Sequence, residues 1–338
     1  MMRTPSCDYV NRGNSQIHHV RHAGPEPIAS GARITTTVAS RGTTKGVTPA
    51  LMRMQVNLRL GSEAIHRRMR LAFRQDRWDA RHRLACVRAF REVPFYREQW
   101  AYARRELSEP LAVTAGELQR ELFRLCPLRS QWDPRREPTL WTGESGVLAN
   151  ALTLAGADWP RIPVLEVREA AVDWTHIGHR RPYAFLLSPD ADVGGDGRRL
   201  ALQLAALKLA VDHGRAIVVG SSTELVELLP EVERALAPVV VAWSPVHRVT
   251  LMQAASGSDV DGPAVVHDPF LGYIAARVRD CGRFHVLWDC VHAKLSPSGI
   301  LFTRLRGRRP MLVNVLPVET GFSDVRCCPS HGTPVLVP

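Results

Sequence analysis

Apolar residues recur at helical spacing through the first part of the chain. The segments 62–75 and 81–93 place apolar side chains three and four residues apart, which predicts two helices. Pro94 is expected to end the second of these helices, with another resuming near Arg97. A further helix is predicted at 114–125, where a threonine and a glutamate three residues later form a capping box. This part of the chain is therefore predicted to be mainly helical.

Short apolar runs replace the helical pattern near residue 160. The runs 181–189 and 215–221 are typical of buried strands, and the amphipathic segment 199–214 lies between them. A second predicted helix at 221–237, where Ser221 and Glu224 offer another capping box, leads to a third predicted strand at 238–246. Because strands and helices alternate, we expect a parallel layer with crossover helices.

Strand patterns dominate after residue 264. They are separated by Gly, Pro and Ser turns and lie at 264–268, 272–278, 284–295, 299–305 and 311–317. The sequence thus predicts an α/β fold with a helical N-terminal part, a parallel α/β layer and a β-rich C-terminal part.

The first 57 residues differ in composition from the rest. They are rich in Ser, Thr, Gly, Arg and Pro and have no apolar periodicity, which predicts a disordered lead at 1–57 followed by one large domain at 58–338. An overextended start is the alternative, with Met52 or Met54 as the first residue.

The bulk composition is that of a globular protein that binds anions. The 338 residues are 45% hydrophobic and 23% charged, with a net charge of +11. This charge favours nucleotides, acyl thioesters or nucleic acid as partners, although an arginine excess also suits a high-GC genome. No nucleic-acid signature is present, so a basic nucleic-acid binder is the weaker alternative. Neither a signal peptide nor a membrane span is apparent, and we expect a cytoplasmic protein.

Two cysteine–histidine pairs suggest metal chemistry. The seven cysteines are an odd number in a long chain, which disfavours a secreted disulfide scaffold. Cys281 and His285 are four residues apart, and Cys328 and His331 are three apart. Two such pairs could close a tetrahedral zinc site. Unrelated buried cysteines and strand histidines are the competing interpretation.

A loop rich in glycine and hydroxyl groups precedes the apolar run 147–152. It contains Thr142, Gly143, Ser145 and Gly146 and has the pattern T-G-x-S-G, which fits neither a Walker loop nor a hydrolase elbow. Glycine amides and hydroxyls in this arrangement suit phosphate oxygens. A surface turn is the alternative.

The turn formed by Val93, Pro94, Phe95, Tyr96 and Arg97 resembles a known family. Together with the order of elements downstream, it resembles phenylacetate–CoA ligase and CapK-type adenylate-forming proteins, over roughly residues 80–338. The resemblance implies the large domain of an adenylate-forming enzyme. It also implies that ATP or AMP with magnesium is bound and that a small carboxylic acid is activated as an acyl-adenylate.

The phosphate loop of that family reads S-S-G-T-T-G-K. Thr142, Gly143, Ser145 and Gly146 keep part of this loop, and Val147 stands where the lysine would be. The resemblance therefore implies a nucleotide loop that has lost its cation.

The family's adenine segment reads D-x-Y-G-x-T-E. Asp268 matches its first residue, and Phe270 keeps an aromatic ring that can stack on a base. Leu271 and Ile274 replace the glycine and the metal-binding glutamate.

The ribose-binding R-Y-x-x-G-D of the family corresponds to Asn314, which has lost the cation, and Glu319, which keeps a carboxylate. Glu319 is our candidate catalytic residue. The small C-terminal lid domain, which supplies a catalytic lysine in this family, is expected to be absent. A divergent ligase and a pseudoenzyme that binds a ligand, a carrier or another partner protein are therefore both open.

Overall fold

The structure is a computed structural model. It describes residues 73–103, 111–130, 145–157, 161–169, 176–177, 181–191, 196–257, 261–307 and 309–338. The predicted disordered lead and most of the predicted helix at 62–75 lie outside these residues.

Two helices joined at a proline open the described chain. Helix α1 spans Gln75–Glu92 and α2 spans Pro94–Tyr102, with only Val93 between them in an extended conformation. The prediction that one helix ends at Pro94 and another resumes near Arg97 is confirmed, except that the second helix begins at Pro94 itself. Proline fits the first turn of a helix, where its missing N–H is not needed, and it forces the preceding residue to be extended.

The residues after Pro94 anchor these helices to the β-rich part of the chain. Tyr96 is fully buried. Its hydroxyl donates to the carbonyl oxygen of Met311 and accepts from the N–H of Val313, both at 2.9 Å. Trp100 packs beside it with ring centroids 5.2 Å apart. The V-P-F-Y-R turn is thus a structural joint of the fold.

We expect Tyr96→Phe to lower the free energy of unfolding by about 1–3 kcal/mol, because it leaves a buried N–H and a buried carbonyl without their partner. Urea unfolding followed by tryptophan fluorescence measures this loss. Tyr102→Phe is the matched control, since Tyr102 is 93% exposed, and it should leave the midpoint unchanged. Equal midpoints for Tyr96→Phe and the parent protein would contradict the anchoring role.

A short strand and a capped helix follow. Strand β1 spans Val113–Thr114, helix α3 spans Ala115–Glu121, and one 3₁₀ turn spans Leu122–Leu125. The backbone N–H of Thr114 donates to Glu117 at 2.8 Å, and the Glu117 N–H donates to the threonine hydroxyl at 3.3 Å. The predicted capping box is confirmed.

Five parallel strands form the centre of a ten-stranded sheet, in the order β4-β2-β5-β6-β7. The strands are β2 (Val164–Arg168), β4 (Arg181–Leu187), β5 (Arg215–Gly220), β6 (Ala242–Val249) and β7 (Ala264–Asp268). The connecting helices are α5 (Asp196–His213), α6 (Ser222–Leu236) and α7 (Leu251–Ala255). The predicted parallel layer is confirmed. The predicted strand at 238–246 begins later, because Val239 still forms a turn with Leu236.

Antiparallel strands extend this sheet on both sides. Strand β3 (His176–Ile177) pairs with β4, and on the other side the order from β7 is β8, β9, β14, β13. These strands are β8 (Gly272–Arg277), β9 (Phe284–Val286), β13 (Asp324–Cys327) and β14 (Pro334–Val337).

A second sheet of four strands has the order β1-β12-β11-β10. Its remaining strands are β10 (Val291–Ser296), β11 (Gly299–Arg304) and β12 (Val315–Leu316). The predicted single strand at 284–295 is wrong, because a turn at Leu287–Cys290 divides it between the two sheets. The predicted strand at 311–317 is reduced to Val315–Leu316.

Alternating residues of the parallel strands separate two apolar cores. Leu165, Val167 and Val218 pack with helices α5 and α6 on one face, whereas Val164 and Ile217 belong to the larger core on the other. Helix α4 (Ser145–Leu154) lies on that second face and packs against β8 and β3. Among the residues that the structure describes, no helix is both long and apolar enough to cross a membrane.

Candidate functional site

The order of the parallel strands creates a crevice at their carboxyl ends. The chain runs from β2 outward to β4, then crosses back to β5 on the other side of β2 and continues to β6 and β7. In open α/β sheets, ligands bind outside the carboxyl ends of the strands where this direction reverses. Residues that bind a ligand are therefore expected at this edge of the sheet.

A buried polar cluster lies near the carboxyl ends of the strands, on the face that carries α4. Its centre is Glu166 of β2, which is 1% exposed. One carboxylate oxygen accepts from the Tyr273 hydroxyl at 2.7 Å. The other accepts from the Tyr183 hydroxyl at 2.7 Å and from Nε of Arg168 at 3.0 Å. We call these four residues the Glu166 cluster.

The cluster keeps its carboxylate ionised. Burial alone would raise the pKa of Glu166, but the charge of Arg168 and the three donated hydrogen bonds lower it below its usual range. The same carboxylate opposes the loss of a proton from Tyr183, and together with burial it raises the pKa of that tyrosine. The cluster is thus a fixed charge pair enclosed by neutral hydroxyls.

A second ion pair joins the start of α6 to β6. Arg248 donates to both oxygens of Glu224, at 3.0 and 2.8 Å, and to the carbonyl of Val167 at 2.9 Å. Glu224 also accepts from the N–H of Ser221, so the predicted capping box of this helix is confirmed and tied to the sheet.

These residues were not predicted from the sequence, although a signal was present. The segment 164–168 carries Glu166 and Arg168 two positions apart within an otherwise apolar strand. Residues at this spacing lie on one face of a strand, and two opposite charges on a buried face must pair with each other or with other buried groups.

The described residues line two open cavities of similar size. One has a volume of about 570 Å³, and the other, at the strand ends, has a volume of about 670 Å³. This strand-end cavity follows β2, β4 and β5, and four of its lining residues are acidic: Glu169, Asp190, Glu224 and Glu227. Such a lining disfavours phosphate groups.

Asp268 and Phe270 lie together in the turn that joins β7 to β8. The Asp268 carboxylate accepts from the N–H groups of Phe270 and Leu271, at 2.8 and 2.9 Å. Burial raises the pKa of Asp268, and these two donors oppose the shift. The Phe270 ring is half-buried against the larger core. The carboxylate thus shapes the turn and presents the aromatic residue at the carboxyl end of β7.

The glycine-rich loop reaches the described structure only at its end. Thr142 and Gly143 lie outside the described residues, Ser145 is the first residue of α4, and Gly146 faces open space. Val147, at the position of the family's lysine, is buried in the larger core.

Three further positions differ in their surroundings. Ile274, at the position of the metal-binding glutamate, is fully buried and offers no ligand atom. Asn314 is 3% exposed, and its Oδ1 lies 2.9 Å from Nε2 of His82 and 3.2 Å from the Thr303 hydroxyl. Glu319 is exposed in the segment after β12. The structure therefore places Asn314 in a polar group with His82. Among the described residues, the Asp268 carboxylate bonds only within its own turn.

The two cysteine–histidine pairs come together at the end of the ten-stranded sheet. The ligand atoms of Cys281, His285, Cys328 and His331 all lie within 4.8 Å of one another. Cys281 Sγ is 3.1 Å from His285 Nε2, and Cys328 Sγ is 3.4 Å from His331 Nδ1. We call these four residues the Cys₂His₂ cluster. Its first pair lies at the β8–β9 turn and its second at the β13–β14 turn.

Comparison with known proteins shows the fold. The crystal structure of 2-hydroxyisobutyryl-CoA ligase in an open conformation, with 2-HIB-AMP and CoA, is similar at a TM-score of 0.53 and 14% identity, covering 78% of this chain and 68% of that chain. The same ligase in the postadenylation state with 2-HIB-AMP matches at 0.52 and 14%, covering 78% and 66%. The chain shares the fold of 2-hydroxyisobutyryl-CoA ligase over most of its length.

The ligase fold is shared over a limited length and at low identity. The chain spans about two thirds of the 2-hydroxyisobutyryl-CoA ligase structures. No family model matches the sequence, and no curated protein matches it. The predicted α/β fold class is confirmed, whereas the assignment of each site residue stays a prediction.

Proposed function

We propose that this protein binds ATP and a small carboxylic acid and joins them as an acyl-adenylate. Within the adenylate-forming ligases, we place it in the phenylacetate–CoA ligase and CapK-type group. The fold supports the general class, because the similar solved structures hold an acyl-AMP. The V-P-F-Y-R turn at 93–97 supports the narrower group.

The observation that carries this proposal is the Asp268–Phe270 turn. It lies at the carboxyl end of a parallel strand, in a sheet whose topology places ligands at that edge. Phe270 offers an aromatic face for the adenine ring there. The +11 charge of the chain adds a general attraction for a polyphosphate.

The chemistry follows from this placement. The carboxylate of the acid attacks the α-phosphorus of ATP, a P–O bond to pyrophosphate breaks, and an acyl-adenylate forms. Amides of the loop at 142–146 would bind phosphate oxygens, and Glu319 would bind the ribose hydroxyls. Catalysis of this type depends on positioning and charge stabilisation.

The two described residues at the family's charged positions do not supply the charges of such a site. Val147 and Ile274 are core residues and supply neither a cation nor a metal ligand. Magnesium therefore enters the proposal only as the ion that accompanies ATP. Each missing charge-stabilising group can cost about 10²–10³ in rate, so we expect slow adenylation. The acyl group would then pass to a thiol acceptor, either CoA or a carrier or partner protein.

ATP–pyrophosphate exchange over a panel of small carboxylic acids tests the reaction. The panel should include phenylacetate and 2-hydroxyisobutyrate, and ATP binding should be measured separately by calorimetry. We expect exchange above background with at least one acid. Phe270→Ala should weaken ATP binding by up to about tenfold, because one aromatic stacking contact contributes about 0.5–1.5 kcal/mol.

Tyr102→Ala is the matched control, since this ring is almost fully exposed, and it should bind ATP like the parent protein. Phe270→Leu keeps the apolar contact with the core and separates loss of stacking from loss of folding. ATP binding without exchange would favour the pseudoenzyme, whereas no ATP binding at all would remove the proposal.

A further inference from the structure

We propose that the Cys₂His₂ cluster binds one structural Zn²⁺ ion. The inference is independent of the proposed ligase activity, because it rests only on these four side chains and the turns that hold them. Three of the four residues are buried: His285 and Cys328 are 1% exposed and His331 is 4% exposed. Cys281 is half-buried and lies on the side from which an ion can enter.

The cluster has the dimensions of a tetrahedral zinc site. Zinc–sulfur bonds near 2.3 Å and zinc–nitrogen bonds near 2.0–2.1 Å place neighbouring ligand atoms about 3.3–3.8 Å apart. The sulfur–nitrogen separations within the two pairs are 3.1 and 3.4 Å. The largest separation within the cluster is 4.8 Å, so small side-chain movements would close the site around an ion.

The two histidines present different nitrogens to the centre. Nδ1 of His285 lies 2.7 Å from the Thr333 hydroxyl, which leaves Nε2 directed towards Cys281. His331 instead presents Nδ1 towards Cys328. A zinc-bound histidine commonly donates its second N–H to a fixed oxygen, which orients the ring. Thr333 supplies that oxygen to His285.

Backbone turns hold each pair of ligands in place. Gly282 follows Cys281 with φ +66°, and Gly332 follows His331 with φ +65°. The N–H of Gly282 donates to the Val278 carbonyl at 2.8 Å, and that of Gly332 donates to the Cys328 carbonyl at 2.7 Å. Left-handed glycines allow both tight turns. Backbone hydrogen bonds therefore stabilise both cysteine–histidine turns.

The site would join two hairpins that are far apart in sequence. Strand β14 pairs with β9 at Val335 and His285, and the bound ion would lie beside this pair. Four protein ligands leave no open coordination position, which is typical of structural rather than catalytic zinc. Zinc would thus hold the β13–β14 hairpin to the end of the large sheet.

Metal analysis of the full chain tests this site. Protein purified from zinc-supplemented medium under reducing conditions should contain one zinc ion per chain. Co²⁺ exchanged into the site should give the absorption of a tetrahedral thiolate complex. Cys328→Ser and His285→Ala should reduce the zinc content to near zero. Cys327→Ser is the matched control, because Cys327 is adjacent but exposed, and it should keep the full content.

Three additional variants keep the proposal testable if a ligand variant fails to fold. Thr333→Val should weaken zinc binding about 10–100-fold by removing the oxygen that orients His285, while Thr333→Ser should not. His331→Cys keeps four donors and should retain zinc. The proposal is overturned if the parent protein neither contains zinc nor gives the Co²⁺ spectrum. A Cys281–Cys328 disulfide that persists in the folded protein after purification under reducing conditions would also overturn it.

Discussion

We expect Glu166→Leu to lower the free energy of unfolding by about 3–5 kcal/mol. The substitution removes the carboxylate that neutralises Arg168, whose side chain is 6% exposed. It also removes the acceptor of the Tyr183 and Tyr273 hydroxyls. Breaking one partner of a buried ion pair is this costly because the other charge stays in a medium of low polarity.

Urea unfolding of the parent protein and the variant measures this loss. Asp212→Asn is the matched control, because the Asp212–Lys208 ion pair is exposed to solvent, with 52% and 74% of the two side chains accessible. An exposed pair of this kind contributes about 0–1 kcal/mol, so the control should unfold near the parent midpoint.

A double variant distinguishes the effect of the unpaired Arg168 charge from the effect of the change in side-chain volume. Glu166→Leu combined with Arg168→Met removes both members of the pair, and we expect it to be more stable than Glu166→Leu alone. This result would give a coupling energy between the two side chains. If the two changes are additive, the ion pair is not what holds this part of the sheet together.

Local sequence signals predicted much of the parallel layer. The capping box of α6 and the glycine that ends α5 depend on residues within one turn, and both appear in the structure. Alternation of apolar runs and amphipathic segments then suffices to predict parallel strands, because a crossover helix imposes that direction. These features depend on few long-range contacts.

Features set by distant partners were not predictable in the same way. The segment 284–295 looks like one strand, but its two halves pair with β8 and β11, which lie in different sheets. The Glu166 cluster joins β2 to Tyr183 and to Tyr273, which is 107 residues away in sequence. Periodicity carries no information about which strands become neighbours.

The predicted nucleotide site shows what family resemblance can and cannot establish. The resemblance implies that positions 147 and 274 lack the family's charged residues, and in the structure Val147 and Ile274 are both buried core residues, where an unpaired charge would be costly. By contrast, the Cys₂His₂ cluster was predicted from two local spacings alone, and the fold brings its members together. Residue type was informative in that case because few side chains bind zinc.

Acid should destabilise this protein through His292. Burial and the neighbouring His82 lower the pKa of His292 to about 4, and only Asp79 opposes them. In the unfolded chain a histidine has a pKa of about 6.5. Between these two values the unfolded chain binds a proton that the folded chain does not, so the free energy of unfolding falls as the pH falls. Above pH 6.5 this contribution is fully present.

The expected loss is on the order of 3 kcal/mol by pH 4, since one pH unit corresponds to about 1.4 kcal/mol per proton. Urea unfolding at several pH values between 6.5 and 5 gives the slope. His292→Phe should flatten this slope by close to one proton. His213→Gln is the control, because His213 is exposed, and it should keep the parent slope.

Whether the free energy of unfolding falls or rises on acidification decides whether the contact between His292 and Asp79 is an ion pair or a hydrogen bond from a neutral imidazole. The Nε2 of His292 lies 3.0 Å from the Asp79 carboxylate, which by itself suggests an ion pair. Asp79 is 39% exposed, however, so water weakens its charge, whereas His292 is 4% exposed. Its Nδ1 is buried and has no hydrogen-bond partner among the described residues. Protonation would place an N–H donor at Nδ1 without an acceptor. The free-energy cost of that buried donor exceeds the stabilisation that the half-solvated Asp79 carboxylate gives to a charged imidazole. If stability instead rises on acidification from pH 6.5, His292 is charged in the folded protein and the contact is an ion pair.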